Sequence, residues 1–376
     1  MRVLMVQRSL SPPGGGNAVA AWMVHALAND GHEVTTVTES EWQPGDTNAF
    51  YGTAIPDSVD RIVTPSWQRG LSQLGEGRLT RLRMSLVLGR ARKAMPAHDL
   101  CVTADNFTAF PMPGIQYVHF PAKIRPPRPP LVEAYFSLCD QIAGAPASGA
   151  STNATLVNSR WTGERLTSLG EIRQATVLYP PVIDPGPGLP WAERENVLLC
   201  VGRFHPSKRI ETVIRIANGV RARGMADARL LLVGSSVDGT YTESLKRLTA
   251  NDAWVEWHED VPRTTLNALM GRARFAIQAM VDEHFGMATA ELARAGCLVF
   301  AHDSGGTREV LDGEPALLWR SEADAVDRIL AADPRAASRL RERAARFSPQ
   351  AFVDGFLACA RDQVSRRNSG SAMSSW

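Results

Sequence analysis

Short apolar runs, each followed by a longer stretch with helical spacing, recur along this chain. In the first half the segments 3–7, 33–38, 100–103, 115–119, 155–158 and 176–179 have the length and β-branched content of strands. A second series starts at 197–202 and continues through a helix from about Ile210, a strand at 230–233, a helix from Tyr241, a strand at 275–279, a helix carrying Glu291 and a strand at 298–301. Strands alternating with helices predict an α/β protein of two Rossmann-like, doubly wound parallel sheets. The stretch 179–188 is dense in Pro and Gly and reads as an interdomain connector. The expected domains are therefore 1–182 and 183–352, with helices at 322–330 and 336–347. A last amphipathic helix over 349–366 follows, and residues 369–376 are expected to fray. Ligands of open parallel sheets bind beyond the carboxyl ends of the strands, so two such sheets are expected to face a shared central cleft.

Composition narrows the class. A chain of 376 residues with 44% hydrophobic content can build two cores. There is no run of eighteen apolar residues, and the chain enters its first strand directly after Met1-Arg2, which predicts a cytoplasmic protein. Five scattered cysteines, none in a Cys-x-x-Cys pair, predict reduced thiols and no zinc site. A net charge of +2 gives no reason to expect nucleic acid as a partner. Charge is nevertheless uneven. Segment 61–93 holds Arg61, Arg69, Arg78, Arg81, Arg83, Arg90, Arg92 and Lys93 against the single acid Glu76, with Leu79, Leu82 and Leu86 at helical spacing. Two readings stand: a helix making peripheral contact with an acidic inner membrane surface or a phosphorylated acceptor, and an ordinary solvated face.

The candidate chemistry lies at the strand ends. Glu283 and Glu291 flank Phe285, Gly286 and Met287. With Glu283 just ahead of a helix and Glu291 two turns in, about 12 Å of helical rise separates two carboxylates, with free first-turn amides between them. A nucleotide sugar fits that layout, its hydroxyls on the carboxylates and its diphosphate at the amides. Arg203 and Lys208 share the loop after strand 197–202, where paired cations would stabilise the charge developing on a departing diphosphate; the alternative is a surface salt bridge. The Gly14-Gly15-Gly16-Asn17 loop either admits a phosphate-bearing ligand at a helix capped by Asn17 or is a plain strand-to-helix turn. No Asp-x-Asp pair exists, so metal-free catalysis is expected, with no cofactor beyond the nucleotide-sugar co-substrate. His119 closes a core strand at the ligand edge, as a contact to donor or acceptor or as a structural histidine. Asp105 and Asn106 are candidate acceptor contacts. Ser304-Gly305-Gly306-Thr307-x-Glu309 either wraps the donor or caps a helix.

Taken in order, the Gly14–Gly16 loop, Gly202-Arg203 with Lys208, Glu283-x7-Glu291 with Phe285-Gly286, and Gly305-Gly306 with Glu309 resemble family 4 glycosyltransferases of the GT-B fold. The resemblance implies that Arg203 and Lys208 hold the diphosphate, that Glu283 and the amides after it hold the hexose, and that Glu291 holds the ribose. It further implies that His119 lies beside the reacting carbon, that the final helix, about 353–368, crosses back to the first domain, and that configuration is retained. Tyr117-Val118-His119-Phe120-Pro121, Asn158-Ser159-Arg160-Trp161-Thr162, Tyr179-Pro180-Pro181-Val182 and His284-Phe285-Gly286 are similar to mannosyltransferases that extend dolichol-linked oligosaccharides. That similarity favours GDP-mannose over a UDP-hexose as donor and a glycan, lipid-linked or small-molecule acceptor. The chain departs from the family at Gln278 to Asp282, where Pro-Ser is usual, at Gly296-Cys297-Leu298-Val299, which lacks the usual proline, and at Trp257-His258-Glu259-Asp260-Val261, the loop that the resemblance implies meets the base, which lacks the common glycine. Two other functions share the architecture: a nucleotide-sugar epimerase or hydrolase, and a non-catalytic nucleotide-sugar-binding partner. A nicotinamide dehydrogenase is disfavoured, since the glycine loop lacks the dinucleotide fingerprint and only Glu39 ends the second strand with an acid.

Overall fold

The computed structural model describes residues 1–65, 79–106, 108, 110, 112, 114–120, 129–144, 153–186 and 188–373. It divides into two compact units, residues 1–181 with 349–376 and residues 182–348.

In the first unit, seven strands form one parallel sheet: β1 (Arg2–Val6), β2 (Glu33–Thr38), β3 (Asp60–Val63), β4 (Leu100–Thr103), β5 (Gly114–Val118), β6 (Ala154–Val157) and β7 (Thr176–Val177), in the order β3-β2-β1-β4-β5-β6-β7. Its central strands are apolar on both faces because helices cover each side, and Val3, Leu4, Met5 and Val6 are all fully buried. Helices α1 (Gly15–Asn29), α2 (Pro44–Tyr51), α3 (Thr80–Ala94), α4 (Pro130–Ala143) and α5 (Arg160–Ser168) supply the crossovers. The second unit holds β8 (Glu195–Val201), β9 (Arg229–Gly234), β10 (Val255–Glu259), β11 (Ala273–Gln278), β12 (Leu298–His302) and β13 (Leu318–Trp319), parallel in the order β10-β9-β8-β11-β12-β13. Its helices are α6 (Ile210–Arg223), α7 (Gly239–Leu248), α8 (Arg263–Arg272), α9 (Met287–Arg294), α10 (Thr307–Val310), α11 (Glu322–Leu330) and α12 (Arg335–Ala344). The closing helix α13 (Pro349–Met373) packs on the first unit, stacking Phe352 on Phe356, setting Phe352 against Tyr117 and donating from Gln363 to the Gly114 carbonyl at 3.2 Å. It reaches Met373, within the stretch expected to fray.

Both sheets reverse their strand order at one place, between β1 and β4 and between β8 and β11. A buried glutamine pins each reversal. Gln7 accepts from the Ala104 amide at 3.2 Å, and Gln278 donates to the Val201 carbonyl at 3.0 Å. In the doubly wound fold this is where a crevice opens beyond the strand ends.

Several expectations are corrected. Residues 255–259 form the edge strand β10 rather than a base-contacting loop; edge strands alternate polar and apolar residues, so Val-Glu-Trp-His-Glu shows no apolar run. Trp257 lies edge-on to Phe204 with centroids 5.2 Å apart. Asn17 does not cap α1, which starts at Gly15, and its amide donates to the Ser11 carbonyl at 2.7 Å instead. The basic helix is turned partly inward: Arg83 forks onto Glu39 at 2.6 and 2.8 Å, and Arg81 pairs with Asp140 and lies over the Phe136 ring. Arg90, Arg92 and Lys93 stay exposed, while Arg69, Glu76 and Arg78 lie outside the described residues. No described helix is long and apolar enough to cross a membrane.

Arg194 anchors the second unit through main-chain carbonyls. Buried at 5% exposure, it donates to the carbonyls of Leu189 (2.8 Å), Ala273 (2.9 Å) and Ala295 (2.6 Å), tying the connector to β11 and the end of α9. Desolvation pulls its pKa down, yet a guanidinium keeps its proton at any physiological pH.

Candidate active site

In the second unit, the loop after β8 and the loop after β11 meet at the strand-order reversal. The Lys208 ammonium donates to Glu283 Oε2, and both side chains are largely buried. A tight turn over Pro206–Lys208 delivers the lysine: His205 Nδ1 accepts from the Ser207 amide at 3.2 Å, and Arg209 then takes a left-handed φ of 52° as α6 begins. Tyr241 steadies that start, accepting from the Ile210 amide at 3.0 Å and donating to Glu211 Oε2 at 2.5 Å; burial raises its pKa. Arg203, the other cation expected at the diphosphate, is exposed and makes no hydrogen bond or ion pair among the described residues. The structure thus brings Lys208 to Glu283 and leaves Arg203 apart.

Glu283 is held by the glycine-rich segment after β12. The Gly306 amide donates to the Glu283 carbonyl at 2.6 Å, and Ser304 Oγ accepts from the Asp282 amide at 2.7 Å. A Cβ on Gly305 would lie 2.3 Å from the Glu283 carbonyl oxygen, and one on Gly306 2.1 Å from that of His284. Only glycine lets these backbones approach so closely. Ser304–Thr307 therefore acts as a brace under Glu283.

Phe285 is buried edge-on against Phe347, 5.2 Å between centroids, and so anchors the loop. Gly286, with φ 94°, turns the chain into α9, whose first amides follow at Met287. The helix begins at Met287, so only four residues of rise, about 6 Å, separate its start from Glu291. The expectation of two turns and about 12 Å is corrected, because 283–286 is not helical. Glu291 Oε1 accepts from Arg263 Nη1 at 2.9 Å. His284, next to Glu283, has its pKa lowered chiefly by burial and further by Lys208, while Glu283 and Asp282 oppose the shift. Burial also pushes the Cys200 thiol up to about 12, keeping it protonated.

In the first unit, the loop after β1 and the ends of β4 and β5 come together at the equivalent place. Gly16 opens α1 against the His119 imidazole, where an added Cβ would stand 3.5 Å from Nε2; Gly15 is the first residue of the same helix. His119 Nε2 lies 2.8 Å from the Ala104 carbonyl. A carbonyl only accepts, so Nε2 carries the proton and is committed to that bond. Asn106, at φ 60°, accepts from the His119 amide at 2.9 Å, and Asn158 donates to the His119 carbonyl at 2.7 Å. Asp105 accepts from Arg8 Nε at 2.8 Å. Asp105 and Asn106, expected as acceptor contacts, thus have side chains engaged within the unit, Asn106 in setting the His119 backbone.

Residues 187–347 match the family described as glycosyl transferases group 1. The matched span lies within the second unit, which is thus similar to group 1 glycosyl transferases. The motif resemblance to GT-B glycosyltransferases, and to dolichol-pathway mannosyltransferases among them, is borne out. The chain is 30% identical over 247 residues to the GDP-Man:Man(3)GlcNAc(2)-PP-Dol alpha-1,2-mannosyltransferase of Neurospora crassa, covering 54% of this chain and 44% of that protein. It is 27% identical over 238 residues to the human protein of the same name, covering 56% and 48%. The chain therefore spans about half the length of the curated relatives it matches. Anabaena Alr3699/HepE, solved in complex with UDP and glucose, superposes with a TM-score of 0.67 over 96% of this chain and 100% of its own at 14% identity, which shows the GT-B fold.

No sequence signal pointed to Arg263 or Arg194 in the second unit, nor to Arg8 in the first. Each pairs with a group far away in sequence, and none belongs to a motif whose spacing carries chemistry.

Proposed function

We propose that the chain transfers a hexose, with mannose favoured, from a nucleoside diphosphate sugar to a hydroxyl of a glycan, lipid-linked or small-molecule acceptor, with retention of configuration. The observation that carries this reading is the Lys208–Glu283 pair at the carboxyl edge of the second sheet, followed directly by the first-turn amides of α9. In the bound state Lys208 and Arg203 take the diphosphate, Glu283 and the amides after Gly286 take the hexose hydroxyls, and Glu291 takes the ribose diol. As the anomeric C–O bond breaks, its electron pair goes to the leaving phosphate oxygen, and the two cations stabilise that charge. The acceptor oxygen attacks from the same face, and its proton passes to the leaving phosphate. No metal is required in this scheme, since Lys208, Arg203 and the backbone amides supply the positive potential. Proton transfer through His119 Nε2 is not part of this scheme, since the Ala104 carbonyl holds that nitrogen. Support for GDP-mannose comes from the mannosyltransferase relatives and from His284-Phe285-Gly286. The side chain that ends β2, Glu39, is taken by Arg83 instead of being free for a dinucleotide ribose.

The test is incubation with GDP-mannose, and separately with UDP-glucose, with and without octyl α-mannoside. The reading expects a new α-linked product with one donor, seen in the one-bond C–H coupling at the anomeric carbon. A β-linked product overturns retention. Donor conversion at the same rate without acceptor points to an epimerase or hydrolase, and donor binding without turnover to a non-catalytic partner.

A further inference from the structure

Glu291 is paired with an arginine that has two further buried donors. Arg263, the first residue of α8, donates through Nη1 to Glu291 Oε1 at 2.9 Å, and the two side chains are 20% and 13% exposed. Its Nε and Nη2 are buried with no partner among the described residues. A guanidinium has five N–H bonds to give, and an unmet buried donor is costly. Replacing such a pair as a whole by apolar side chains is often neutral or favourable, so the pair is weak evidence of a stabilising role, whereas removing one partner leaves the other charge uncompensated. Net stability is therefore a poor reason for placing Arg263 here. What the contact does is local: it fixes one carboxylate oxygen of Glu291, while Oε2 makes no hydrogen bond among the described residues. A carboxylate with one oxygen clamped and the other open is an acceptor set in advance, with less rotamer freedom to lose when a ligand arrives.

We infer that Arg263 is a positioning residue that sets Glu291 to accept the ribose hydroxyls of a nucleoside diphosphate. This rests on the donor-site reading above and adds to it the group responsible for telling ribose from deoxyribose. Arg263 acts through Glu291 and does not itself touch the nucleotide.

The test is calorimetric titration of the full chain with GDP, UDP and their 2′-deoxy counterparts, on wild type, Arg263→Met, Arg263→Lys and Glu291→Gln, with a melting curve for each. Wild type should bind its preferred ribonucleotide about tenfold or more tightly than the deoxy form, as expected for a hydrogen bond to a charged acceptor. Arg263→Met should melt below wild type, because the Glu291 carboxylate loses its partner, yet stay folded at the titration temperature while that ratio falls towards one, as in Glu291→Gln. Arg263→Lys, which keeps the charge but not the planar fork, should lie between. A full wild-type ratio in Arg263→Met and Arg263→Lys overturns the inference and leaves the donor-site reading standing; a wild type indifferent to the 2′-hydroxyl overturns both the inference and the placing of the ribose diol on Glu291. Failure of wild type to bind either ribonucleotide removes the donor-site reading itself.

Discussion

The ammonium of Lys208 donates to Oε2 of Glu283, joining loops 75 residues apart in sequence at the point where the second sheet reverses its strand order. Each charge neutralises the other. Under the proposed function, a diphosphate sugar would exchange that contact for phosphate on the ammonium and hydroxyls on the carboxylate, so the pair holds both groups in place for the donor.

Lys208→Ala and Glu283→Ala should each lower the rate of sugar transfer by about 10²–10³, the cost of losing one preorganised charged contact in a transition state. Both variants should stay folded, since the surviving partner can be reached by water. The double variant should lose less than the sum of the two, because the residues act as one unit. Single-turnover rates together with circular dichroism check this.

Gly305→Ala should damage the same site from beneath. The new Cβ meets the Glu283 carbonyl, and φ at this position is +70°. Left-handed strain adds to overpacking, for a combined cost of roughly 2–4 kcal/mol. Urea unfolding should show that loss, and donor binding should weaken with it. Ala at Gly313, where an added Cβ meets nothing within 4 Å and φ is +66°, is the control for backbone strain alone.

Acid should weaken the second unit through His284. Burial holds its folded pKa below the ordinary value of 6.5, so the unfolded chain takes up the proton first. The stability tied to neutral His284 is present above about pH 6.5 and is lost as pH falls through the folded pKa. His302, shifted the same way by burial, adds to the slope. Melting curves from pH 7.5 to 5 should decline, and His284→Gln should decline less steeply.

Arg194→Met should be among the most destabilising changes in the second unit. It strips donors from the carbonyls of Leu189, Ala273 and Ala295 in a buried place, at about 1–3 kcal/mol for each group left unpaired. Equilibrium unfolding in urea measures the loss, and the first unit's transition serves as the internal reference.

Much of this architecture was legible in the chain because parallel strands buried on both faces are written as unbroken apolar runs, as at Val197–Val201. The edges were not. Asp60–Val63 opens on two charged residues, Val255–Glu259 alternates apolar and polar residues over its first four positions, and Leu318–Trp319 is too short to carry a pattern. At the site, local spacing identified Glu283, Glu291 and Lys208 but misjudged distance, since it assumed helix from Glu283 onward where Gly286 delays the start. Spacing was silent on partners. That Arg8 engages Asp105, that Arg83 engages Glu39 and that Arg263 engages Glu291 are consequences of the sheet order, which no stretch of sequence displays.

The most direct measurement is the affinity of the intact chain for GDP-mannose in EDTA, compared with Lys208→Ala and Glu283→Ala. Binding that persists without divalent metal in wild type and falls at least about tenfold in both variants is the predicted result. Equal affinity in all three proteins would contradict the claim that this pair forms the donor site.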